Sequence, residues 1–350
     1  MMYTVLDYIK YYKDIPLQKT KWNVIDNLIC SILCYLPLRE FSEKISIRQL
    51  HTKLLRSSKE YEAHFIKKTL EVFELVESSI RYKDMYVMNS VNKKSKTVQF
   101  GALTFKINGV KVISFKGTDS SHIGWLENFR LIYEYPTNTH LAAIEYLNNA
   151  IGMFDVGEIY VVGHSKGGNL AMVSAMETSN FKFRKITKVY NFDGPGFRKK
   201  DFESARFERL SPKLVNVLPS GSVIGVLMYN KEYEVVKSNT VVGLDHFPTA
   251  WNIFGEFFVE DKLLSVGKKL NHRTTVELEK LDPKLFKDFI EELFNQLTKE
   301  KTSDIKFSFR MIKKVYDGMR DVDPKMKKYL DDILYFLIMP TGRAALTRKK

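Results

Sequence analysis

A serine between two glycines, Gly163-His164-Ser165-Lys166-Gly167, stands where an apolar run ends and a helix-like stretch begins. The run before it, Ile159 to Val162, has the composition of a buried strand, and Asn169 to Met176 is typical of a helix. In such a strand–turn–helix unit the serine is an exposed, strained nucleophile. The glycines lack Cβ atoms, so strand and helix can approach closely while Ser165 takes an unfavourable conformation. Ser165 in this motif could also be the N-cap of the helix, but the strand before it and the helix after it together favour a nucleophile.

Predicted strands and helices alternate through the middle of the chain, which indicates a mostly parallel sheet covered by helices on both faces. Asn108-Gly109 predicts a two-residue hairpin turn between two of these strands. The predicted strands cover residues 86–88, 97–105, 110–115, 159–162, 186–192, 214–218, 223–228 and 233–236.

Helical periodicity dominates both ends of the chain. We therefore predict an N-terminal helical segment over residues 1–84 packed on the core, an α/β core over 85–260, and a C-terminal helical extension over 261–350. The predicted C-terminal helices cover residues 251–258, 283–297, 304–319 and 324–338.

Composition narrows the classes of function. The net charge of +14 is spread along the 350 residues without an aromatic-interleaved basic module. Peripheral contact with an anionic membrane is therefore the secondary expectation, and nucleic-acid binding is not expected. The two cysteines, Cys30 and Cys34, share one helix face and predict packing rather than a metal site or a disulfide. We expect no metal and no cofactor. We expect a cytoplasmic location with possible membrane association, because no signal peptide or spanning segment is visible.

A serine nucleophile requires a base, and an acid that orients the base. Downstream of Ser165 the histidines are His246, in a loop bounded by glycine and proline, and His272, among charged residues. His246 is therefore the predicted base. Asp193 follows a predicted strand and is the predicted acid, although an aspartate there also suits an Asx turn. Asp245 is a poorer candidate, because neighbours in an extended segment point apart.

The oxyanion donors are predicted to be Thr118, in a glycine turn after a core strand, and the amide of Lys166. The turn at Thr118 would equally cap the next helix. The ammonium of Lys166 has two possible roles, pairing with substrate charge or with a structural carboxylate. Trp125 and His164 are predicted to line the substrate pocket, with the core as the alternative place for Trp125.

Several groups of residues stand in one order along the chain: Asp26-Asn27, Phe115 to Thr118 with Gly124-Trp125, Gly163 to Ala171, Tyr190 to Phe197, Pro219 with Ser222 and Gly225, and His246 with Trp251. Over about residues 1–260 they resemble the Mbeg-type α/β-hydrolase-like proteins of Gram-positive bacteria, which themselves resemble class 3 (fungal-type) lipases. The resemblance implies an α/β-hydrolase fold, with Ser165 as nucleophile, His246 as base, and Thr118 and Lys166 as oxyanion donors.

The chain departs from class 3 lipases where those enzymes carry their catalytic aspartate. The matching segment, Pro219-Ser220-Gly221-Ser222, has no carboxylate. Either Asp193 replaces that acid from the preceding strand, or the triad is incomplete. We therefore predict a serine hydrolase of carboxylic esters such as lipids or acylglycerols. The alternative is a weak or inactive protein of this fold that binds a ligand, a membrane surface or a protein partner. Charge-driven nucleic-acid binding is a third and weaker hypothesis.

Overall fold

An eight-stranded sheet, in which neighbouring strands follow chain order, organises the molecule. The computed structural model describes residues 3–55, 64–95, 98–118, 122–240, 242, 244–277, 280 and 282–299. Its strands are β1 (Ile45–Ser46), β2 (Tyr86–Lys94), β3 (Gln99–Ile107), β4 (Val110–Phe115), β5 (Glu158–His164), β6 (Ile186–Phe192), β7 (Leu214–Pro219) and β8 (Tyr233–Val236).

Strands β1 to β4 pair antiparallel, and β4 to β8 pair parallel. The parallel strands therefore finish together, at Phe115, His164, Phe192 and Pro219, which we call the carboxyl end of the sheet. The opposite margin, where Val110, Glu158, Ile186 and Leu214 begin these strands, is the amino end.

Helices cover both faces of the sheet. They are α1 (Val5–Tyr12), α2 (Val24–Leu33), α3 (His64–Ser78), α4 (His122–Tyr133), α5 (Asn138–Ala150), α6 (Lys166–Glu177), α7 (Asn180–Lys185), α8 (Lys199–Phe202), α9 (Ala205–Leu210), α10 (Ser265–His272) and α11 (Pro283–Lys299). Alternate residues of a strand enter different cores: Val112 packs with α1 to α3, and Ile113 with α5, α6 and α9. This is the predicted α/β-hydrolase-like architecture, a mostly parallel sheet between helical layers.

Local sequence explains the hairpin between β3 and β4. Asn108 and Gly109 both have positive φ, 44° and 82°, as a two-residue turn matched to strand twist requires. The predicted Asn-Gly turn is therefore confirmed.

Helix α2 crosses one face of the sheet and ends at its carboxyl end. The thiol of Cys34 donates to the carbonyl of Ser114 at 3.3 Å, and the hydroxyl of Ser114 donates to the carbonyl of Cys30 at 3.1 Å. Both cysteines are buried and unbridged, as predicted. These bonds place the next residue, Tyr35, beside the end of β5.

Two predicted elements are wrong. Residues 251–258 form a hairpin of β9 (Ile253–Phe254) and β10 (Phe257–Phe258) rather than a helix, because Gly255 turns the chain with φ of 60°. Short apolar runs fit both periodicities, so the pattern alone was ambiguous. Residues 223–228 are a loop rather than a strand.

The predicted helix at 283–297 is confirmed as α11, whereas those at 304–319 and 324–338 lie outside the described residues. The division of the chain at residues 84 and 260 stays a prediction.

Candidate active site

Ser165 occupies a sharp turn between β5 and α6. Its φ of 58° and ψ of −133° are strained for a residue with a side chain, and that side chain makes no capping hydrogen bond to α6. A Cβ at Gly163 would collide with the carbonyl oxygen of Gly167, so the turn requires glycine there. The residue is 9% exposed, and its hydroxyl has no hydrogen-bond partner among the described residues. The turn thus presents the hydroxyl rather than using it as a helix cap.

Asp193 lies at the end of β6, beside the serine turn. The amide of Ser165 donates to the carbonyl of Phe192 at 2.9 Å. One carboxylate oxygen of Asp193, Oδ2, accepts a hydrogen bond from Nδ1 of His246 at 2.6 Å. The other, Oδ1, accepts from the hydroxyl of Ser222 and from the amide of Gly225, the latter at 3.0 Å. The loop that lacks a carboxylate of its own therefore supplies donors to Asp193.

The geometry sets the protonation of His246. Burial lowers the pKa of His246 to about 4, so the imidazole is neutral near pH 7. Burial raises the pKa of Asp193 above its usual range, opposed by the donors Ser222 and Gly225. With Nδ1 donating its proton to Asp193, the lone pair of His246 is on Nε2. The side chain of His246 is 17% exposed, and the imidazole is therefore partly accessible to solvent.

No hydrogen bond joins the hydroxyl of Ser165 to His246 in the part of the chain that the structure describes. Catalytic hydrogen bonds of this kind are often loose without substrate and tighten when it binds. Ser165, Asp193 and His246 nevertheless lie at the same carboxyl end of the sheet, linked through the Phe192 carbonyl and the Asp193 carboxylate.

His164, predicted to line the substrate pocket, is instead 2% exposed and bonded to protein through both ring nitrogens. Its Nε2 donates to the carbonyl of His246 at 2.8 Å, and its Nδ1 accepts from the hydroxyl of Tyr35 at 3.0 Å. Burial, with His246 nearby, keeps the pKa of His164 well below its usual range, so the ring stays neutral and retains these roles. His164 therefore holds the loop that carries His246. Trp125 lies on α4, with its side chain outside the described part.

The ammonium of Lys166 is part of a buried network rather than of a substrate site. It donates to Glu127 at 2.8 Å and to the carbonyl and side-chain oxygens of Gln99 at 2.9 Å and 2.7 Å. The side chains of Lys166 and Glu127 are 1% and 2% exposed. Of the two roles that the sequence left open, the structure favours pairing with a structural carboxylate.

The predicted oxyanion donors, Thr118 and Lys166, lie on two segments that both contact helix α4. Thr118 follows β4, and its hydroxyl donates to Asn128 at 2.8 Å, which leaves its amide as the candidate donor. Lys166 is the first residue of α6, so its amide lies at the positive end of the helix. Because Glu127 and Asn128 are neighbours on α4, this helix contacts both segments.

Sequence reasoning missed Tyr35 and Glu127. The partner of Tyr35, His164, is 129 residues away, and the partner of Glu127, Lys166, is 39 residues away. No spacing pattern could reveal such contacts. Ser222 and Gly225 were noted as motif residues, but nothing in the sequence connected them with Asp193.

Neither a metal centre nor a membrane span emerges from the described ranges. Within them, no three histidine, cysteine or acidic side chains cluster as metal ligands. None of the helices that the structure describes combines the length and apolar character needed to cross a bilayer.

The chain is similar to one protein family and, at low sequence identity, to several solved structures. A family model described as Mbeg1-like matches residues 76–295. A search of curated proteins found no match. Among solved structures, M37 lipase is 16% identical over 72% of this chain and 92% of its own, with a TM-score of 0.39. A mutant form of MDLA from Penicillium cyclopium is 11% identical over 72% and 94%, with a TM-score of 0.38. The native Rhizomucor miehei lipase propeptide complex is 12% identical over 56% and 66%, with a TM-score of 0.34.

Proposed function

We propose a serine ester hydrolase activity for this chain, which belongs to the Mbeg1-like family, as its motifs predicted. The observation that carries the proposal is the 2.6 Å hydrogen bond from His246 to Asp193, next to a serine in a strained strand-to-helix turn. These are the groups that covalent acyl transfer requires: a nucleophile, a base and an acid that orients the base.

In the first half-reaction, Oγ of Ser165 attacks the carbonyl carbon of the ester and its proton passes to Nε2 of His246. The buried carboxylate of Asp193 stabilises the imidazolium that forms. The amides of Thr118 and Lys166 donate to the oxyanion of the tetrahedral intermediate, each contributing about 3–4 kcal/mol. The intermediate collapses, the C–O bond to the leaving alcohol breaks, and the alcohol takes the proton from Nε2.

Water completes the reaction. His246 removes a proton from the water as it attacks the acyl carbon, and a second tetrahedral intermediate forms at the same oxyanion donors. Its collapse releases the carboxylic acid and returns the proton to Ser165. The substrate class is a carboxylic ester; the lipid or acylglycerol substrates implied by the family resemblance, and the cytoplasmic location, stay predictions.

The decisive experiment combines a fluorophosphonate probe with ester turnover. We expect the probe to label the purified protein, and Ser165→Ala to abolish labelling and lower turnover of a short p-nitrophenyl ester by about a thousand-fold or more. Ser174→Ala is the matched control, because Ser174 lies on the same helix, is buried, and donates to the carbonyl of Ala171. A folded protein that resists the probe, or a Ser165→Ala variant that keeps its turnover, would refute the proposal.

The alternative is an inactive protein of this fold that binds a ligand. In the sequence, this alternative was supported by the lack of a carboxylate near Ser222 and by the cation of Lys166. In the structure, Ser222 donates to the carboxylate of Asp193, and Lys166 pairs with Glu127. One observation still favours it: the hydroxyl of Ser165 makes no hydrogen bond to His246 among the described residues. Stoichiometric labelling of Ser165 with no turnover of any ester would support this alternative.

A further inference from the structure

An unusual set of apolar side chains projects into solvent at the amino end of the sheet, opposite the end that carries Ser165. In the loop before β5, Phe154 is 89% exposed, Val156 is 88% exposed and Met153 is 69% exposed. Phe181 on α7 is 54% exposed. Single exposed apolar residues are ordinary, but adjoining ones mark interaction surfaces. We call Met153, Phe154, Val156 and Phe181 the apolar patch.

Contacts through Lys185 show that the two parts of the apolar patch adjoin. Its ammonium lies 5.1 Å from the centre of the Phe181 ring. The same ammonium donates to the carbonyls of Met153 and Asp155, both at 2.8 Å. The loop is thereby fastened by its backbone while its apolar side chains stay in solvent.

Basic side chains surround the apolar patch. They lie on elements that begin or end at the amino end. Lys106 and Arg184 are exposed, whereas Lys111, Lys182, Lys185 and Lys213 are partly buried and donate to protein oxygens. The loop carries one carboxylate, Asp155, which is paired with Lys111. Burial acts to raise the pKa of Asp155, but the hydrogen bonds from Lys111 and the Gly152 amide, together with the charges of Lys111 and Lys106, lower it overall. Glu158 follows at the start of β5, and Lys188 further along β6 faces Glu234. Cations therefore outnumber acids around the patch.

We propose that the apolar patch and its basic surround dock this protein on an anionic lipid bilayer. Protruding apolar side chains enter the boundary between headgroups and acyl chains, while the exposed cations of Lys106 and Arg184 meet lipid phosphates. A second copy of the chain is the weaker occupant, because a two-fold interface would bring the same cations face to face. Single-stranded nucleic acid is also the weaker occupant, because only two of the four side chains, those of Phe154 and Phe181, offer a ring on which bases stack.

The test is cosedimentation of the full chain with vesicles of phosphatidylcholine and phosphatidylglycerol at about two to one. We expect binding that is lost when phosphatidylglycerol is omitted. Phe154→Ser with Val156→Ser should weaken binding by about ten-fold or more. The matched control is Phe254→Ser with Phe257→Ser, which removes side chains 74% and 72% exposed on a hairpin that carries Glu256 between them. The control should bind as the unmodified protein does.

Two further variants test the charge. Lys106→Gln and Arg184→Gln should each weaken binding by about five-fold, because each exposed cation is worth about that factor near an anionic surface. Since all these side chains are exposed, the urea midpoints of the variants should match that of the unmodified protein.

Three results would overturn the proposal: no binding to anionic vesicles, equal binding to phosphatidylcholine alone, or a patch variant that binds as tightly as the hairpin control. Light scattering that shows a dimer for the unmodified chain and a monomer for the patch variant would assign the patch to a second copy instead. The inference does not depend on the hydrolase activity, because Ser165→Ala should bind vesicles normally. Failure of docking and failure of catalysis are therefore distinguishable.

Discussion

Replacing Lys166 by methionine tests whether the cation next to the nucleophile belongs to the framework. The Lys166 ammonium donates to Glu127 and to two oxygens of Gln99, and both charged side chains are almost completely buried. Methionine has similar length and no charge. The carboxylate of Glu127 would then keep the backbone amide of Gln99 and the hydroxyl of Thr139 as donors, but would lose its ion-pair partner.

The size of the effect follows from burial. Removing one partner of a buried ion pair costs about 3–5 kcal/mol, because the remaining charge stays out of water. We expect Lys166→Met to lower the free energy of unfolding by that amount, and Glu127→Gln to do nearly the same. The double variant leaves no uncompensated charge, so its loss should fall short of the sum of the single losses by about 2–3 kcal/mol.

Urea unfolding followed by circular dichroism measures all four members of this cycle. Lys68→Met is the control, because the pair of Lys68 with Glu71 is exposed (34% and 46%) and should contribute less than about 1 kcal/mol. Single losses below about 1 kcal/mol, or a double loss equal to the sum, would refute the buried-pair reasoning.

Further predictions concern the site and its histidines. Asp193→Asn should lower kcat by about ten thousand-fold by favouring the wrong tautomer of His246, while asparagine tolerates the φ of 51° there; a loss below about ten-fold in steady-state assays would contradict this role. His164→Leu removes the donor to the carbonyl of His246 and should lower kcat by about ten- to a hundred-fold, with His164→Gln keeping more activity. Because burial lowers the pKa of His140 to about 4, the unfolded chain takes up a proton between about pH 6.5 and 4 that the folded chain does not. His140 alone should therefore lower the free energy of unfolding by about 1.4 kcal/mol per pH unit as pH decreases through that window, and His140→Gln should reduce the slope measured by urea unfolding by about that amount.

Local sequence patterns correctly predicted most of the central sheet. The mostly parallel sheet and the family follow from short stretches, such as the apolar strand before Gly163 and the Asn108-Gly109 turn, where neighbouring residues alone decide the backbone. Local patterns failed where two periodicities fit equally well. Residues 251–258 form strands because their backbone pairs with distant segments. The amide of Asn252 donates to the carbonyl of Lys237, and the amide of Ile253 donates to the carbonyl of Tyr3.

What the sequence determined by itself was therefore a strained serine at the end of a parallel strand, and candidate partners for it further along the chain. Only the tertiary structure decided which groups meet. It brought Nδ1 of His246 to Asp193, fastened the His246 loop to His164, and paired Lys166 with Glu127. The reason is physical: a strand or a turn depends on neighbours in the chain, whereas a hydrogen bond between distant loops depends on the paths of all the elements between them.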